Sequence, residues 1–259
     1  MKNFISFVLV VVSLAIFSGC QTAAPIAASP DKNIYVLVHG AWGGGWDWRH
    51  VDDLLTGDGN KVFRATLTGQ GERAHLASTN LDLDTHIQDV VNVILWENLH
   101  DVILVGHSYG GMVVTGVADR VPERIKRVVY VDAMLPENGE SVAAAMPARR
   151  IPLAVTNGFI LSNWVKASQP PPHDVPMPAK CFSQPIVLTN QVKVPATYIL
   201  TVDAGTPPAQ DDFYKFYQRA QARNWPAWVM EGDHNVQRSH PQELARLLEQ
   251  AAQAGGRPQ

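Results

Sequence analysis

The sequence predicts an α/β fold: a mostly parallel central sheet with helices on both faces, carrying a short cap insertion. Three observations predict it. Short apolar, β-branched runs alternate along the chain with stretches whose apolar residues recur at helical spacing. One such run, Val102 to Val105, leads directly into Gly106-His107-Ser108-Tyr109-Gly110-Gly111, after which Met112, Val113, Gly116 and Val117 fall at helical spacing. The length of 259 residues suits one such domain with a large core and is too short for two generous ones.

Each element follows in order. Asn33 to Val38 reads as a strand, ending in the glycine-rich stretch His39 to Trp46. Those glycines lack the Gly-Lys-Ser/Thr of a phosphate cradle, which argues against a nucleotide site. Trp46 to Leu55 is predicted as a helix and Lys61 to Leu67 as a second strand, followed by a polar loop through His75. Asp84 to Leu95 carries Ile87, Val90, Val91 and Ile94 on one face, an amphipathic helix. The run ending at Gly106 is a strand buried on both faces, and a helix begins just past Ser108. Arg127 to Val131 is the next strand. Between Pro136 and Pro195 the periodicity breaks down. Pro170-Pro171-Pro172, Pro176 and Pro178 exclude long helices there. The bulky apolar residues Met146, Ile151, Phe159, Ile160, Leu161, Trp164 and Phe182 nevertheless need burial, which predicts a cap over the sheet and a largely apolar pocket beneath it. Ala196 to Val202 is a strand, Asp212 to Arg223 a helix, and Ala227 to Met230 the last strand. A final helix is expected from Ser239, with Ser239 and Gln242 as a capping box.

The first residues read as a targeting segment. Lys2 precedes an apolar run from Ile5 to Phe17, and Ser18 and Gly19 lead to Cys20. Phe17-Ser18-Gly19-Cys20 resembles a bacterial lipobox, although Phe17 stands where leucine is usual. The expectation is a signal peptide over 1–19 and a flexible Ala/Pro/Ser tether over 20–32. The folded domain then occupies 33–256, with its cap at about 136–195. Cys20 becomes a lipidated N-terminus that partners a membrane, with Gln21 pointing to the periplasmic face of the outer membrane. The alternative is an ordinary signal peptide cut within Gln21 to Ala24, leaving a soluble exported protein. With Cys20 acylated, Cys181 has no disulfide partner. A net charge of −3 with no basic stripe gives nucleic-acid binding no support.

The chemistry centres on Gly106-His107-Ser108-Tyr109-Gly110, a G-x-S-x-G pattern between strand and helix. The glycines permit a turn sharp enough to lift the serine hydroxyl clear of the sheet. A serine hydroxyl is a poor nucleophile until a base within hydrogen-bond reach takes its proton, and that base needs an acid to fix its tautomer. In sheets of this kind such groups sit in loops at the carboxyl ends of strands. Of nine histidines, His50, His86, His100 and His240 fall on helices or their ends and read as surface residues. His75 and His173 have no strand feeding them. His107 adjoins the nucleophile and points away, and His39 suits a structural role. His234, after the last strand, is the candidate base. Two acids remain open: Asp203 at the end of the strand before the last, which is favoured, and Asp132 as the alternate. Asp233 is tied too closely to His234 to orient its ring.

These motifs resemble the α/β-hydrolase family. The closest resemblance is to the branch of plant methyl esterases, hydroxynitrile lyases and their bacterial esterase relatives. Val36 to Trp46, Gly106 to Gly111 and Gly232-Asp233-His234 carry it, from Ile34 to about Ala252 apart from the cap. Asp203 to Pro207 is similar to the plant esterases' acid loop, one residue closer to its strand. The resemblance implies an oxyanion hole built from the backbone N–H groups of Ala41 and Tyr109. It also implies cleavage of carboxylic esters through an acyl-enzyme, on a small-molecule substrate with an apolar group. No cofactor or metal is implied. Lyase members place Thr, Glu and Lys where this chain has Gly40, His107 and Asn235, so lyase chemistry is not expected. Amide or lactone hydrolysis on the same residues, or a silent binding homologue, are the alternatives. The resemblance leaves the oligomeric state open.

Overall fold

A computed structural model describes residues 32–146, 154–166, 168–190 and 194–254. The expected signal peptide, Cys20 and most of the tether lie outside the described residues, as does Ile151. Six strands form one sheet: β1 (Ile34–Val38), β2 (Lys61–Ala65), β3 (Val102–His107), β4 (Ile125–Val131), β5 (Ala196–Val202) and β6 (Ala227–Glu231). They lie in the order β2-β1-β3-β4-β5-β6, and every pairing is parallel. The chain thus winds outward in both directions from β1 and β3. All six residues of β3 are buried, as a central strand covered on both faces requires.

The two-residue period of the strands divides the core. From β1, Val36 and Val38 face one layer while Tyr35 and Leu37 face the other. The first layer holds α2 (Leu83–Trp96), α3 (Gly110–Arg120), α4 (Tyr214–Ala222) and the cap. The second holds α1 (Arg49–Gly57) and α5 (Pro241–Gln253). From α2, Ile87, Val90, Val91 and Ile94 are buried against the sheet, each contributing about 1.5–3 kcal/mol. The expected capping box of the last helix does not form. His240 is the N-cap and Pro241 takes the first turn, while Ser239 Oγ donates to Asp233 Oδ1 at 2.9 Å.

Between β4 and β5 the described cap contains only short elements, as its prolines require. They are two four-residue helices (Val142–Ala145, Lys180–Ser183) and a three-stranded antiparallel sheet of two-residue strands (Val155–Thr156, Phe159–Ile160, Met177–Pro178). Met146, Ile160 and Phe182 are buried in the first layer, whereas Leu161 and Trp164 stay exposed. Arg219 of α4 fastens the base of the cap with a two-pronged bond to Glu140 at 2.6 and 2.7 Å. Among the described residues no helix is long and apolar enough to cross a membrane.

Candidate active site

The turn after β3 holds Ser108 at φ 53°, in the left-handed region. Strain of that kind persists only where the surroundings hold it. Here Ser108 N–H donates to Val131 O, and Ser108 O accepts from Gly111 N–H and Met134 N–H, both at 3.0 Å. The flanking glycines are needed for space. A Cβ on Gly106 would lie 2.8 Å from Gly110 O, and one on Gly110 would lie 2.8 Å from the carbonyl oxygens of both Val38 and His39.

The turn directs the Ser108 hydroxyl at His234, with Oγ 3.0 Å from Nε2. His234 follows β6, and its Nδ1 lies 2.6 Å from Asp132 Oδ2. A carboxylate only accepts, so Nδ1 carries the proton and Nε2 is free to accept from Ser108. Asp132 is 1% exposed, directly follows β4 at φ 42°, and accepts from Thr201 N–H through Oδ1. The structure therefore brings Ser108, His234 and Asp132 together.

Asp203, favoured from the sequence as the acid, is not part of this arrangement. It is exposed in the turn beyond β5, and no hydrogen bond or ion pair joins it to His234 among the described residues. The reason is register. Val131 pairs with Ile199, so Asp132 stands level with the middle of β5, and β5 then runs on past it. The turn closed by Thr206 N–H to Asp203 O carries Asp203 out to solvent.

The backbone N–H groups of Ala41 and Tyr109 donate to no protein acceptor among the described residues. Ala41 lies in the turn after β1, and Tyr109 immediately precedes α3. The free amide of Tyr109 follows from its place at a helix start, where the first N–H groups have no partner inside the helix.

Three further histidines support the site in neutral form. His107 Nε2–H donates to His234 O at 2.7 Å, tying the histidine loop to the residue before Ser108. His39 accepts from Leu67 N–H and donates to Gly40 O, and burial pushes it down to about 4. His86, read as a surface residue from the sequence, is fully buried. It donates to Thr68 O and accepts from the Tyr109 hydroxyl at 3.0 Å. Its position among Leu83, Ile87 and Val90 of the apolar stripe was the signal that would have found it. Burial lowers the pKa values of His86 and His107 as well.

Aromatic rings stack on two of these residues, His234 and Tyr109, and sequence reasoning missed their arrangement. Phe213 stacks on His234 with centroids 4.9 Å apart, Phe182 stacks on Tyr109 at 5.8 Å, and Trp42 meets Phe182 at 5.5 Å and Trp164 at 5.1 Å. Such contacts add about 0.5–1.5 kcal/mol each beyond the area they bury. Among the described residues no group of three or more His, Cys, Asp or Glu side chains is arranged to hold a metal ion.

A family model described as the alpha/beta hydrolase family matches residues 35–247, which spans the sheet, the turn at Ser108 and His234. The chain belongs to the α/β-hydrolase family. This α/β-hydrolase is 38% identical over 240 residues to a carbendazim hydrolyzing esterase from Nocardioides sp. (strain SG-4G), a match covering 83% of the chain and 97% of that protein. It is 30% identical over 141 residues to methylesterase 8 of Arabidopsis thaliana, covering 54% of the chain and 49% of the plant protein. Among solved structures it is similar to an extracellular alpha/beta-hydrolase from a Paenibacillus species. That likeness has a TM-score of 0.68 at 26% identity and covers 85% of this chain and 99% of that one.

Proposed function

We propose that this carboxylic ester hydrolase works through Ser108, His234 and Asp132 by way of an acyl-enzyme. The observation that carries the reading is the unbroken hydrogen-bonded series from Ser108 Oγ through His234 to the buried Asp132 carboxylate. Ser108 Oγ attacks the ester carbonyl carbon while His234 Nε2 takes its proton. Asp132 keeps the proton of Nδ1 in place and stabilises the imidazolium that forms. The carbonyl oxygen, now negative, accepts from the N–H groups of Ala41 and Tyr109, donors already fixed in direction. His234 then protonates the departing alcohol and afterwards activates water to release the acid.

Trp42, Trp164, Phe182 and Phe213 support a substrate with an aromatic or other flat apolar group, since they offer rings rather than polar partners. The esterase names of the relatives support ester cleavage over amide or lactone cleavage. Export, and anchoring through a lipidated Cys20, are proposed on the sequence from Met1 to Cys20 alone.

Ser108→Ala tests the reading. The variant is expected to lose p-nitrophenyl ester turnover by about 10⁴ or more and to lose covalent labelling by a fluorophosphonate, with its melting curve unchanged. Retained labelling would refute Ser108 as the nucleophile.

A further inference from the structure

An ionic cluster around Arg238 joins three separate segments, and the proposed mechanism makes no use of it. Arg238 lies four residues after His234, at the last turn of the short helix Val236–Ser239. Its Nη2 is 2.5 Å from Asp47 Oδ1 and 3.5 Å from Asp174 Oδ1, and its guanidinium carbon lies 4.4 Å from the Trp46 ring centroid. Asp47 belongs to the turn that follows Ala41 and is 3% exposed. Asp174 belongs to the cap. One arginine thus bridges the oxyanion loop, the histidine loop and the cap.

The circuit closes through tryptophan. The second oxygen of Asp174 accepts from Trp164 Nε1–H at 2.7 Å. The next residue, Val175, donates its N–H to Trp42 O at 2.8 Å, and Trp42 Nε1–H donates to Ile160 O at 3.1 Å. The two indoles meet edge to face. Each link is modest alone. Among the described residues the cap's strands are two residues long and add little core of their own, so its position over Trp42 depends on such links. The link to Asp47 is the strong one, because a buried carboxylate without its cation is left uncompensated.

We propose that Arg238 is a positioning residue that latches the cap stretch 160–175 onto the oxyanion and histidine loops, and so sets the preference for esters with a bulky aromatic group. The inference rests on the reading of Ser108 as nucleophile. With the latch open, Trp164 and Trp42 no longer hold a wall for an aromatic group, while a small acyl group does not need that wall. The latch therefore acts on KM for the large substrate more than on kcat for either.

The test compares p-nitrophenyl acetate with p-nitrophenyl benzoate on Arg238→Met, Arg238→Lys, Asp174→Asn and the Arg238→Met/Asp174→Asn pair. Arg238→Met is expected to raise KM for the benzoate about tenfold more than KM for the acetate, a difference of about 1.4 kcal/mol. Arg238→Lys, which keeps the charge, recovers most of that difference. Asp174→Asn gives a smaller shift in the same direction, and adding it to Arg238→Met gives no further shift, because the link is already gone. Fluorophosphonate labelling persists in every variant. Equal KM changes for both esters, or additive effects in the double variant, overturn the latch. Loss of labelling in Ser108→Ala together with these outcomes keeps the catalytic reading while rejecting the latch. Should Arg238→Met fail to fold with Asp47 unpaired, the lysine and Asp174→Asn variants decide the question by the same KM ratio.

Discussion

Replacing Asp132 with asparagine isolates its proposed role as the acid while preserving its shape. The Oδ1 position accepts from Thr201 N–H at 3.3 Å, so an asparagine keeps its carbonyl oxygen there and turns its NH₂ toward His234. That NH₂ then donates to Nδ1, across a separation of 2.6 Å in the parent, and drives the ring proton onto Nε2. Nε2 in turn faces Ser108 as a donor and has no lone pair for the serine proton. The wrong tautomer in a triad of this kind costs about 10⁴ in kcat. At 1.36 kcal/mol per factor of ten, this is about 5 kcal/mol of transition-state stabilisation. Asp203→Asn, on an exposed turn, is expected to stay within about twofold of the parent. Initial rates with p-nitrophenyl acetate across pH 6–9 measure both. A larger loss from Asp203→Asn than from Asp132→Asn, or small equal losses from the two, would sink the assignment drawn from register.

Two further outcomes follow from buried groups. Tyr198→Phe removes a hydroxyl that accepts from Ala133 N–H at 3.1 Å and donates to Ala133 O at 2.7 Å beside Asp132. Leaving that peptide unsatisfied in the core costs about 1–3 kcal/mol, so calorimetry should register a Tm lower by about 5 °C. Stability should also fall as pH drops from about 6.5 to about 4. In that window the unfolded chain takes protons that buried His39, held down to about 4, refuses, a loss of about 3 kcal/mol, and His86 and His107 shift the same way. Asp47 opposes this: burial raises it to about 6, so its folded form binds the proton more tightly and gains stability as pH falls from about 6 toward 4. Asp47→Asn should therefore steepen the acid loss in a series of melting curves, and a shallower slope would contradict the sign.

Much of the architecture was legible because local pattern decides it. A β-branched run ahead of Gly-x-Ser-x-Gly is buried on both faces wherever the sheet is parallel, and β3 lies at the centre of the sheet. Strand β5 matches its sequence limits, and His234 was singled out because it follows the last strand. The acid was not legible for a geometric reason. β4 and β5 are each followed directly by an aspartate, and which one reaches the imidazole depends on the relative height of the two strands. That height is set by the pairing of Val131 with Ile199, which no local pattern reports. His86 escaped because its residue type outweighed its place in the stripe. The ionic cluster around Arg238 was invisible because Asp47, Asp174 and Arg238 are far apart in the chain, and Asp174 joins them only from the cap.

The proposed reacting groups are held in two different ways, which bears on where the proposed latch falls. Ser108 and Asp132 directly follow neighbouring strands, and both adopt left-handed backbone at a cost of about 1–3 kcal/mol each. Backbone bonds offset that cost: Ser108 N–H to Val131 O, Asp132 N–H to Ile199 O at 2.7 Å, and Met134 N–H to Ser108 O. The proposed nucleophile and acid therefore share the rigidity of the sheet. His234 comes from the edge strand of the sheet, two strands away from Asp132, and its loop has fewer such ties. The His107 bond to its carbonyl and the stacking of Phe213 hold the ring from either side. Arg238, on the same loop, secures its far end to Asp47. Under the proposed mechanism the base is thus held by side chains as well as by its strand. The same side chains carry that fixation on to the cap.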